Sequence, residues 1–330
     1  MTGNAAKPIA SQVAYDVIGL GVSTLDLLMV VDELPGAELV QQARASLLQG
    51  GGPVATAMVT LARLGARIAM IDRLGDDWRG NLILDEFQRE GVDTRHISRE
   101  PGGTSSIATI LVRRRDGART IVYQPGDAGA VDPALLPEPA IRSTGILHLN
   151  GRHLQACLQA ARLARRQGVL VSFDGGAHRY TPELVPLLEN TDLCIVARQF
   201  ASAFSGEAAI DRCAESLLKT GPRIVVITAG ADGSWVRTRE GDSFHQPAML
   251  TKKTVDTTGA GDAYHGGFLY GISRNYPLKE CALLASAVAA LNTGALGGRS
   301  ALPSLDQARQ FLRERGFTSR LHDHGNYILT

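Results

Sequence analysis

Cysteine is scarce: Cys157, Cys194, Cys213 and Cys281 are the only four in 330 residues, and no two form a CxxC pair. That excludes a zinc ribbon or a thioredoxin-type redox motif, and at this length it argues against a disulfide framework. Four buried or half-buried thiols are expected instead. Aromatics are only 5%. An excess of one charge is also missing. Lys plus Arg number 34 against 33 Asp plus Glu, a formal net charge of +1 with no long basic run. Neither nucleic acid nor an anionic membrane is therefore an expected partner. No apolar run approaches the ~18 residues of a membrane span. Residues 1–14 lack the charged and apolar regions of a signal peptide and read as a flexible tail on a cytoplasmic protein. The eight histidines show no metal-ligand spacing; His148 and His153 read as a packed histidine and a surface one. There is no GxxxxGK[ST], which excludes a P-loop. Gly19-Leu20-Gly21 lacks a third glycine and runs into an extended segment, which argues against a dinucleotide fingerprint.

What is present suffices for a large core: 44% hydrophobic and 20% charged residues, with 36 glycines clustered as in functional loops. Short apolar, β-branched runs at 16–21, 68–73, 145–149, 169–174, 193–196 and 223–228 read as strands covered on both faces. Helical patterns alternate with them over 54–64, 80–90, 154–167, 207–219, 260–273 and 278–293. This rhythm predicts an α/β fold, a doubly wound, mainly parallel sheet in a single domain over 15–315, with a C-terminal extension at 316–330. Two segments near 27–48 and 104–125 break the rhythm with polar alternation, the second around an Asp116-Gly117 hairpin signal. They are expected to pair as a small β lid over the carboxyl ends of the parallel strands. Its apolar face predicts a homodimer joined through the lid.

Val255–Ile272 (VDTTGAGDAYHGGFLYGI) carries the most chemical information. Gly259, Ala260 and Gly261 stand immediately before a helical pattern, where free N–H groups at the positive end of the helix dipole form an anion hole. Asp262 follows at the helix start. It reads either as an N-cap or as a general base that takes a proton from a substrate hydroxyl while the hole holds a phosphoryl group.

DTTGAGD and its helix resemble the C-terminal signature of the ribokinase-type (PfkB) carbohydrate kinases. Gly50-Gly51-Gly52-Pro53-Val54-Ala55-Thr56-Ala57 with Leu61-Ala62-Arg63-Leu64-Gly65 resembles the first signature. Gly75-Asp76-Asp77 with Gly80, Gly91-Val92-Asp93-Thr94, and Thr228-Ala229-Gly230 with Gly233 follow in the family's order. The resemblance covers about residues 15–315 and implies ATP-dependent phosphorylation of a sugar hydroxyl, with Mg2+ and possible use of K+. It implies Asp262 as the base, with Gly259, Ala260 and Gly261 as the anion hole. The sugar side falls to Asp26, Gly51, Gly52 and Thr56, and nucleotide contacts to Thr228, Gly230, Gly233 and Ser286. Asp256 matches a monovalent-cation loop whose other side is 297–301. Arg152, just past the strand at 145–149, can clamp a phosphate or sulfonate or simply lie exposed before the next helix.

Two departures accompany the match. Thr56 stands where ribokinases carry a sugar-binding Asn, and the Asn-x-x-Glu motif tied to magnesium falls on Ala197-Arg198-Gln199-Phe200. Magnesium would then arrive on the nucleotide with water ligands. GGGPVATA, Arg152 and Gly297-Gly298-Arg299 are also similar to sulfofructose kinases, although Val40 and Tyr123 replace polar positions expected there. A nucleoside kinase and a non-catalytic sugar-binding regulator on the same fold are the rival readings.

Overall fold

The computed structural model describes residues 13–38, 40–251 and 254–317. The expected N-terminal tail and C-terminal extension lie almost entirely outside the described residues. Among the described residues thirteen strands form two sheets. The large sheet contains β1 (Tyr15–Leu20), β4 (Ile68–Gly75), β5 (Asp93–Glu100), β8 (Thr144–Leu149), β9 (Leu170–Gly175), β10 (Leu193–Ala197), β11 (Ile224–Thr228), β12 (Ser234–Thr238) and β13 (Ser243–Gln246). Its order is β13-β12-β11-β10-β9-β8-β1-β4-β5, parallel from β5 to β11 and antiparallel only at the last two strands. The order reverses at β1, which lies between β8 and β4. Crevices for ligands form at such points, beyond the carboxyl ends of the strands.

The unbroken apolar runs are explained by helices on both faces. In β1, Val17 packs on one side with helices Pro53–Arg63, Ala260–Ser273 and Leu278–Asn292, while Ile18 packs on the other with Leu154–Arg166 and Ile210–Thr220. Pro53 opens its helix at a position whose N–H has no intrahelical partner anyway. Asp77 caps the helix Trp78–Arg89 by accepting from the Gly80 N–H at 2.9 Å. All four cysteines are free and buried among these layers.

The second sheet forms from the two segments expected to pair as a small sheet, with one change of bounds. It consists of β2 (Thr24–Val31), β3 (Ala45–Gly51), β6 (Ser106–Arg113) and β7 (Arg119–Gln124), in the order β3-β2-β6-β7. The segment near 27–48 is thus two strands starting at Thr24, and its partner β6 runs parallel to β2. The hairpin signal is realised where Gly117, at φ 68°, turns β6 into β7. The helix expected over 207–219 is Ile210–Thr220, and a further, unexpected helix, Arg198–Ser205, precedes it and ends at Gly206 in the left-handed conformation. His153 is not a surface residue. It is 5% exposed, its Nδ1 accepts from the Val131 N–H at 3.2 Å, and its Nε2 therefore donates to Asp72 at 3.0 Å.

Candidate active site

The carboxyl ends of β1, β8, β9, β10 and β11, roofed by the lid, enclose a cavity of about 940 Å³. One end is lined by Asp26, Gly52, Tyr123 and Arg152, the other by Thr228, Gly230, Gly233 and Ser286, with Gly259–Asp262 between them. The space is large enough for two ligands to meet at the middle.

The turn at the middle is built by Gly259. It adopts φ 71° as the residue before the helix Ala260–Ser273, and its Cα lies against Gly298, so a Cβ there would strike the Gly298 backbone. No side chain caps this helix, and the Gly261 and Asp262 amides have no backbone acceptor among the described residues. Asp262 is the third residue of the helix and not its N-cap, so the capping role is unfilled. It is half-buried at the cavity floor. Burial, reinforced by the negative charge of Asp174, holds its carboxyl above the ordinary aspartate range, while the positive charges of Arg179 and Arg299 pull the other way.

At one end of the cavity Asp26 lies inside the lid strand β2, not beyond a strand of the main sheet. Its carboxylate accepts from Thr24 Oγ1 at 2.7 Å and is 8% exposed; burial raises its pKa. Gly51 faces it so closely that any side chain would collide with that carboxylate. Arg152 is exposed at the mouth, with its guanidinium carbon 5.9 Å from the centroid of the Tyr123 ring. Thr56 is not a cavity residue: it is 2% exposed and its hydroxyl accepts from Arg299 Nε at 3.1 Å. At the other end Ser286 Oγ accepts from the Met249 N–H at 3.0 Å, and Thr228 Oγ1 donates to the Val196 carbonyl at 3.4 Å. Asp256 is fully buried as a bracket between loops. Its Oδ1 accepts from the Thr258 N–H and hydroxyl, each at 2.8 Å, and its Oδ2 from the Gly297 N–H at 2.9 Å.

The family model that matches residues 16–305 is that of the pfkB family carbohydrate kinases. The chain belongs to this family. An uncharacterized sugar kinase of Archaeoglobus fulgidus is 32% identical over 252 residues, which are 74% of this chain and 98% of that protein. The ATP-dependent ribose-1-phosphate kinase of Halopiger xanaduensis is 30% identical, with 91% and 98% covered. In fold, the chain superposes on the Arabidopsis thaliana ribokinase complexed with ribose and ATP with a TM-score of 0.79 at 22% identity, over 91% of this chain and 99% of that one. This pfkB kinase is a phosphotransferase that uses ATP to phosphorylate a sugar hydroxyl. The non-catalytic reading falls with that.

The pfkB motifs did not point to several groups that the fold brings to the cavity. Asp174 is the penultimate residue of β9, and its Oδ1 lies 3.6 Å from His265 Nε2. Burial keeps His148 and His265 neutral by lowering both their pKa values. Arg179 lies beyond β9 at the mouth, exposed like Arg152. Arg119 of the lid donates to Thr257 Oγ1 at 2.7 Å, tying β7 to the DTTGAGD loop. The only available signal was position: Asp174 closes a run already readable as a strand, at the end where sites form. Where the Asn-x-x-Glu motif would stand, Arg198 pairs with Asp232 at 3.0 Å instead.

Proposed function

We propose that this kinase phosphorylates a sugar derivative bearing an anionic group. The observation that carries this reading is the pair Arg152 and Arg179. Both line the cavity mouth, and among the described residues neither guanidinium has an ion pair or hydrogen-bond partner. Two cations left open beside the acceptor pocket suit a phosphate, carboxylate or sulfonate, with paired N–H donors for its oxygens. The ribose-1-phosphate kinase among the relatives acts on such an acceptor by its name.

In this reading Asp26 holds acceptor hydroxyls, and the backbone at Gly51 and Gly52 allows close approach. Asp262 takes the proton of the attacking hydroxyl, whose oxygen bonds to the γ-phosphorus as the bond to the β,γ-bridging oxygen breaks and ADP leaves. The amides of the Gly259–Gly261 turn face the charge on the transferred group. Thr228, Gly230, Gly233 and Ser286 flank the nucleotide. Magnesium bound to the nucleotide would neutralise phosphate charge, and the residues fit it: Asp174 Oδ2 is buried without a partner among the described residues, well suited to a metal-bound water. Asp256 is less suited to a monovalent cation, because both of its oxygens already accept hydrogen bonds from the protein, and no step is assigned to K+. Residues 15–315 would form one catalytic unit. The free edge of β7, with exposed Ile121 and Val122, suits a second copy of the chain in a homodimer; a monomer by light scattering at micromolar concentration would refute that.

The test is a panel of matched neutral and acidic acceptors, such as ribose with ribose phosphates and glucose with gluconate derivatives, read by ADP release. Preference for the charged member of each pair is expected. Arg152→Met should raise its KM about 10- to 100-fold, as for loss of a charge-assisted hydrogen bond of ~1.5–3 kcal/mol, without affecting neutral acceptors. Equal turnover of neutral members would sink the anionic assignment.

A further inference from the structure

The sequence motifs took in Arg299 only as part of the 297–301 segment and of Gly297-Gly298-Arg299, with no role of its own. It is 2% exposed and lies outside the cavity. Each of its three guanidinium nitrogens has its own partner. Nε donates to Thr56 Oγ1 at 3.1 Å, Nη1 to Glu86 Oε1 at 2.9 Å, and Nη2 to the Gly51 carbonyl at 2.8 Å, with the group stacked 5.6 Å from the Phe87 ring centroid. Glu86 uses its other oxygen to accept from the Gly50 N–H. One planar group thus grips the Gly50–Gly52 shelf from the carbonyl side directly and from the amide side through Glu86.

The residues just before Arg299 touch the opposite half of the site. Gly298 lies against Gly259, its carbonyl accepts from Asn292 Nδ2 at 3.0 Å, and Asp256 joins the Gly297 amide to Thr258. Ser300 donates to Gln49 at 3.2 Å, and Gln49 is the register partner of Asp26 across β2 and β3. The loop around Arg299 is therefore a short bridge between the acceptor shelf and the phosphoryl-transfer turn, segments some two hundred residues apart in sequence. Helices Pro53–Arg63 and Ala260–Ser273 pack along their lengths, where Gly266 meets Thr60, but the glycine loops at their N-terminal ends need a separate clamp.

We propose that Arg299 is a positioning residue that sets the distance between the acceptor shelf and the anion hole. In-line transfer is sensitive to ångström errors in that distance. This assignment rests on the kinase reading for its catalytic consequence and on geometry alone for the clamp. It also gives Thr56 its place: where ribokinases have an Asn, this chain uses a hydroxyl to receive Nε, so Thr56 serves the clamp and not the sugar.

The decisive variant is Arg299→Lys in the full chain. It keeps the charge, but one ammonium cannot reach three divergent acceptors. Hydrogen exchange followed by mass spectrometry should show at least tenfold faster exchange at both 50–52 and 258–261, with β12 and β13 unchanged. Below the melting midpoint, kcat for whichever panel acceptor the wild type phosphorylates should fall at least tenfold and the acceptor KM should rise, while the KM for ATP stays within about twofold. A residue that only stabilises the fold would lower the melting midpoint and leave these constants alone. Exchange unchanged at either loop, or wild-type kcat in Arg299→Lys, overturns the proposal. If the wild type turns over no acceptor, the substrate reading has failed, and the exchange measurement still decides the clamp.

Discussion

Asp262 shows how one carboxylate is made useful by its neighbours. The proposed base must be ionised to work, and here burial and Asp174 oppose ionisation while Arg179 and Arg299 favour it. Because the net shift is upward, the acid limb of kcat/KM should lie above the ordinary aspartate value of ~3.9, with the rate falling as pH drops through it. Asp174→Asn removes the negative neighbour and should move that limb to lower pH; a limb that stays put would separate the two groups functionally. Asp262→Asn should cut turnover by ~10²–10⁴-fold, the range for losing a general base, with ATP affinity retained. Since ionising this half-buried group costs stability and it caps no helix, the melting midpoint should be no lower than wild type. More than about a tenth of the wild-type rate in Asp262→Asn would refute the base assignment, given the lower end of that range.

The secondary-structure elements were legible to different degrees, for physical reasons. Helix 260–273 was readable to the residue because glycines mark its start and an apolar run fills its length. β5 was missed because DTRHISRE at the sheet edge carries charges instead of an apolar run, and β12 and β13 because an antiparallel edge does not obey the βα rhythm. In the site, the turn, Asp262 and Asp26 were legible from short motifs. Arg299, Asp174 and Arg119 were not, since their partners are brought near only by the fold: Arg119 meets Thr257 across 138 positions. Among the described residues that hydrogen bond is the one polar link between β7 and the phosphoryl-transfer loop, so it should hold the lid down over the acceptor. Arg119→Ala should raise the acceptor KM ~2- to 10-fold, consistent with one hydrogen bond of ~0.5–1.5 kcal/mol, and change kcat less. Steady-state kinetics at fixed saturating ATP would read this, and an unchanged KM would mean that the lid is held by packing alone.

At the scale of the whole molecule, two apolar layers sandwich one sheet, and a second, smaller sheet closes over its edge. Among the described residues no helix is long and apolar enough to cross a membrane. The layers also seal every thiol away from solvent. Burial pushes Cys157 up to about 12 and raises Cys194 and Cys281 as well, and thiolate, not thiol, is the reactive form. The folded chain should accordingly be inert to maleimides and mild oxidants at neutral pH, and each alkylation event should record an excursion out of the native state. The cysteines are in effect built-in clocks for opening. Mg·ATP at ~100 times its Kd stabilises the bound state by about 2.7 kcal/mol, so mass-spectrometric labelling should slow about a hundredfold when the nucleotide is added. Labelling that ignored the nucleotide would mean that the thiols are reached by local breathing away from the site.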